Sequence, residues 1–68
     1  MKTDRIEIIN GLALQVIETF GKSNNELDKN CWMIVHQYHH GVMPTEYDIR
    51  EVEEELYLDV LKRVKELI

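Results

Sequence analysis

Residues 31–44 read Cys31-Trp32-Met33-Ile34-Val35-His36-Gln37-Tyr38-His39-His40-Gly41-Val42-Met43-Pro44. This stretch holds the only tryptophan, cysteine and proline of the chain, all three histidines and two of its three methionines. Five successive apolar residues, Cys31 to Val35, leave no polar side at that point. A helical segment that is apolar all round needs cover on several sides. The stretch is therefore expected at the centre of the fold, with the remainder of the chain packed around it.

Working outward, Ser23-Asn24-Asn25-Glu26 has the form of a capping box, in which a serine oxygen meets the N3 amide and the glutamate reaches back. It predicts a second helix over about 24–40. Leu27, Cys31, Ile34 and Tyr38 form its main stripe, with Trp32, Val35 and His39 alongside. Gly41 ends it, and His39 and His40 in the last turn suit a helix C-terminus. Upstream, Asp4 or Thr3 caps a first helix over about 4–20, with Glu7 in capping-box register. Ile6, Ile9, Ala13, Val16 and Phe20 recur at spacings of three and four, Leu12 and Ile17 widen the stripe, and Gly21 stops it. A rival reading exists: Asn10-Gly11 between two β-prone runs is a hairpin signal, giving a β-hairpin over 5–17 followed by two helices. The helix is preferred because a lone hairpin is marginal without further strands, and no later segment reads as strand. Downstream, Val42-Met43-Pro44 is a stiff connector. Thr45 caps a third helix over about 45–67, striped by Ile49, Val52, Leu56, Val60, Val64 and Leu67, with Glu46–Arg50 and Asp59–Arg63 as i,i+4 pairs. The expected fold is a single all-α, three-helix domain over residues 1–68.

Bulk composition narrows the function classes. Thirteen acidic against eight basic residues give a net charge of −5. Such a balance is poorly suited to polyanions, because nucleic-acid affinity comes from Lys and Arg neutralising phosphates, and anionic membranes are disfavoured for the same reason. No apolar run approaches the ~20 residues of a membrane span. A lone cysteine cannot form an internal disulfide and fits a reducing compartment, so a cytoplasmic location is expected, in a bacterial or phage-like setting.

Few residues suggest chemistry. His36 and His40 stand four apart, so their rings share a helix face and are the candidate ligands of a transition metal, with His39 near. The competing reading has these histidines ending a helix partly in solvent, one of them packed on Trp32 or Tyr38; no metal and no cofactor is expected. Cys31, amid apolar neighbours, reads as an inert core thiol rather than a nucleophile. With no phosphate loop and no paired catalytic groups, the chain is expected not to be an enzyme. Glu51, Glu54, Glu55 and Leu58 instead mark an acidic outer strip on the third helix with one apolar residue in it. Charge gathered on one rigid surface steers association, which suggests docking to a partner protein with a basic surface, as a small regulator or inhibitor.

Residues 38–49, with Gly41, Pro44-Thr45, Asp48 and Ile49, resemble the run into the second helix of LexA-type winged-helix repressors. That resemblance implies DNA binding. The helix concerned is acidic, however, and no basic recognition helix or wing strands follow it, whereas a helix entering the major groove needs phosphate and base-edge donors.

Finally, a domain of this length has a small core, and self-association is the expected reinforcement. Beyond Leu56 the apolar stripe of the third helix broadens, so Tyr57, Leu61, Val64 and Ile68 are expected to meet a second copy of the chain, with Lys62 and Lys65 reaching its residues 51–55.

Overall fold

The computed structural model describes residues 4–22, 25–45 and 52–68. Three helices, α1 (Arg5–Phe20), α2 (Leu27–His40) and α3 (Glu54–Leu67), all touch one another, and among the described residues there is no strand.

α1 begins as its sequence dictates. The Asp4 side chain accepts a hydrogen bond from the Ile6 amide at 3.0 Å, occupying one of the amides that a helix start leaves open. At the other end Gly21, at φ 85°, donates its amide to the Ile17 carbonyl. This continuous helix overturns the hairpin alternative. Gly11 sits on its exposed side, with nothing within 4 Å of where a Cβ would stand. Its cost is the ordinary backbone entropy of a helical glycine, about 1 kcal/mol against alanine, and sixteen helical residues carry that.

The two later helices start further along than expected. Ser23 lies outside the described residues, but Asn25 and Glu26 form a turn, and Glu26 occupies the cap position itself rather than the third helical position. Helical bonding opens with the Asn30 amide on the Glu26 carbonyl at 2.9 Å, where α2 first reaches the core. Its end matches expectation: Gly41 is left-handed at φ 78° and donates to the Gln37 carbonyl. Thr45 is not helical, nor are Val52 and Glu53, and α3 starts at Glu54. Glu46, Asp48, Ile49, Arg50 and the pair Glu46–Arg50 lie outside the described residues. The Glu53 side chain makes no cap bond to its own helix. It is engaged by Arg5 of α1 at 3.1 Å instead, so a contact 48 residues distant marks where α3 begins.

Each helix gives three apolar residues to the core: Leu12, Ala13 and Val16; Cys31, Ile34 and Val35; Leu56, Val60 and Val64. Most are small or β-branched, which lets the helix axes approach closely. Phe20, Met43, Val52, Tyr57 and Leu61 pack around this centre. On α2 the stripe is displaced from expectation, since Tyr38 is 49% exposed and His39 is exposed. His36 is fully buried although it points about 160° away from Ile34 around the helix. α2 is thus covered on two opposite sides near its end, as an all-round apolar segment requires.

Candidate interaction surface

Two cross-links set the relation of α1 to α3. Arg5 lies 3.1 Å from a Glu53 carboxylate oxygen and 3.6 Å from one of Asp59. Five residues further along α1, Asn10 accepts from Arg63 Nε at 2.8 Å. Both contacts advance in the same direction, so the two helices run parallel. Arg63 also reaches Glu66 at 3.3 Å, and the expected Asp59–Arg63 pair gives way to these contacts. The physical reason is direction: Asp59 and Arg63 both lean toward α1, where Arg5 and Asn10 offer partners across the seam. The hydrogen bond to Glu53 is the main cause that raises the Arg5 pKa; desolvation opposes it, and the charges of Glu53, Asp59 and Glu55 add to the rise.

Along this seam runs an open groove of about 450 Å³, floored by Ile6 and Ile9 and edged by Asn10, Asp59, Lys62 and Glu66. Ile6, expected in the core stripe, is instead 65% exposed in this groove. Leu14, one turn beyond Asn10 on the same flank of α1, is 54% exposed, and Leu58, one turn before Lys62, is 50% exposed. Leu14 is not singled out by the sequence, and Ile6 is singled out only as a core residue. Leu14 lies outside the expected stripe of α1, whereas Ile6 belongs to it and is exposed nonetheless.

The expected docking residues divide accordingly. Glu54, Glu55 and Leu58 are exposed together on the outer side of α3, and Glu51 lies outside the described residues. The expected self-association face is largely consumed within the chain. Val64 is wholly buried in the core, which corrects its placement on an outer face, while Tyr57 and Leu61 are half-buried against that core and only Ile68, 49% exposed, remains open. Burial first, then the charges of Asp28 and Cys31 on α2, pushes the Tyr57 pKa up, so this side of α3 faces α2.

The histidines form a ring ladder. Trp32 and His36 have ring centroids 5.4 Å apart, and His36 and His40 4.6 Å. His36 Nδ1 donates to the Val42 carbonyl at 2.9 Å, since a carbonyl can only accept, and its Nε2 is buried. The expected packing on Trp32 is therefore present, but His36 is not in solvent; the connector 41–45 closes over it. Among the described residues no three His, Cys, Asp or Glu side chains come together in a way that could hold a metal ion. Cys31 is buried and free, and burial, helped by Asp28, raises its thiol pKa from 9.0 to about 11 despite Lys65. At neutral pH it is a protonated core side chain.

Among the described residues, no helix is long and apolar enough to cross a membrane. Comparison with curated proteins finds no match, and neither does comparison with solved structures. A family described as a domain of unknown function, DUF8662, matches residues 7–68, which takes in nearly all of α1, the whole of α2 and α3, and every residue of the groove but Ile6. The chain belongs to that family.

Proposed function

We propose that this protein is a non-enzymatic interaction module, a small acidic regulator or inhibitor that acts in the cytoplasm of a bacterial or phage-like system and also self-associates. The observation that carries the reading is the exposure of Glu54, Glu55 and Leu58 together on one outer strip of α3. A rigid helix presenting carboxylates around a single apolar anchor suits a partner with a basic rim and a small apolar pocket. The charges steer the encounter, and the anchor slows dissociation. A net charge of −5 and an acidic start to α3 argue against nucleic acid as that partner.

The test compares capture by immobilised wild-type protein and by the Glu54→Lys/Glu55→Lys variant from a lysate of the source cell. The expected result is a defined protein retained by the first, released by salt, and absent from the second. Identical capture by both, or none by either, overturns the reading.

A further inference from the structure

We infer that the outer strip of α3 pairs antiparallel with the same strip of a second copy of this chain, about a two-fold axis through Leu58. The inference deepens the proposed self-association by relocating its surface, and it rests on reading the outer strip of α3 as the interacting one.

Glu54, Leu58 and Lys62 stand at i, i+4 and i+8, all exposed and within about 80° of one another around the helix. Glu54 and Lys62 each lie about 6 Å along the axis from Leu58, on opposite sides. A two-fold axis through Leu58 therefore lays Leu58 on its own symmetry mate and each Glu54 against the partner's Lys62. Such an isologous contact is the commonest way for a chain to dimerise. Charge selects this strip over its neighbours. Arg5, Asp59, Arg63 and Glu66 are held in contacts within the chain, whereas Glu54 and Lys62 take part in none of the ion pairs among the described residues. A parallel arrangement would set Glu54 on Glu54 and is disfavoured. The groove beside the strip shares Lys62 with it and adds apolar surface at Ile6, 65% exposed. A central apolar contact with charges at its rim is the usual layout of an interface.

Sedimentation equilibrium of the purified full chain, from about 10 to about 500 micromolar, should show a mass rising to twice that of the monomer. Leu58→Glu should leave a monomer whose helical circular dichroism is unchanged. Glu54→Lys and Lys62→Glu, taken singly, each oppose like charges twice over and should weaken the dimer by about tenfold or more. The double variant Glu54→Lys/Lys62→Glu recreates both pairs with their signs exchanged and should restore it. A monomer at every concentration, a dimer that survives Leu58→Glu, or a double variant no tighter than the single ones overturns the inference. None of these measurements involves a foreign partner, so a failed dimer and a failed capture are told apart, and because both use Glu54 and Leu58 a foreign partner would displace the second copy.

Discussion

The seam between α1 and α3 and the interior of α2 handle polar groups in opposite ways. At the seam, Arg5, Glu53, Asp59, Asn10 and Arg63 meet across the helices while staying partly in water. In α2, Asn30 and His36 are taken inside, at 3% and 0% exposure. His36 has the Val42 carbonyl to donate to, whereas the side-chain nitrogen of Asn30 has no hydrogen-bond partner among the described residues. A solvated ion pair contributes little and costs little to break. An interior polar group has no such cushion, because water is not there to replace a missing partner. The seam is therefore expected to set specificity and orientation, and α2 to set stability.

The largest expected effect lies in α2. Ile34→Ala, at 1% exposure in the middle of the core, should lower unfolding stability by about 2–5 kcal/mol, read by urea denaturation. A loss below about 1 kcal/mol would mean that the interior is looser than its burial indicates.

Next comes the alkaline limb set by Cys31. The folded protein holds the thiol proton more tightly than the unfolded chain, so stability is complete below the unfolded value of 9.0 and falls as pH rises toward about 11. Two pKa units correspond to about 2–3 kcal/mol over that window. Tyr57, also pushed up by burial, adds in the same direction. Denaturation melts between about pH 8 and pH 11 should slope less for Cys31→Ala than for wild type; parallel curves would exonerate the thiol.

What the sequence disclosed follows the same division. Local signals were legible: Asp4 as a cap, Gly21 and Gly41 as stops, and the core triplets at helical spacing. The details governed by distant contacts were not. The start of α3 involves Arg5, the burial of His36 depends on a connector folding back, and Ile6 is exposed although it lies on the expected core stripe. Asn10, which suggested a hairpin with Gly11, instead accepts a hydrogen bond from Arg63, a use invisible without α3 in place. The outer strip of α3 was legible as a charged face, but the case for pairing it about Leu58 needs Asp59 and Arg63 to be occupied elsewhere, which only the fold discloses.

Asn30 offers a smaller and opposite effect. Replacing it with leucine, of similar shape, removes a buried amide whose nitrogen has no partner, and should raise stability by about 1 kcal/mol. A decrease would show that the amide makes an interaction in solution worth more than its desolvation. Smallest of all is Arg5→Ala at the seam. Both of its ion pairs are nearly half exposed, so the loss should be slight and shrink further in salt, compared in melts at about 0.05 and about 1 M sodium chloride.

The hydrogen bond from His36 to Val42 spans only six residues, whereas the seam contacts span 48 and 53. Closing a short loop loses far less chain entropy than bringing the two ends of the molecule together. We therefore expect α2 and its connector to be structured in the folding transition state, with α1 docking on α3 afterwards. In stopped-flow kinetics, Ile34→Ala should mainly slow folding, while Ile9→Ala, on the groove floor, should mainly speed unfolding. The seam that gives the surface its shape would then be the last part of the molecule to close and the first to open.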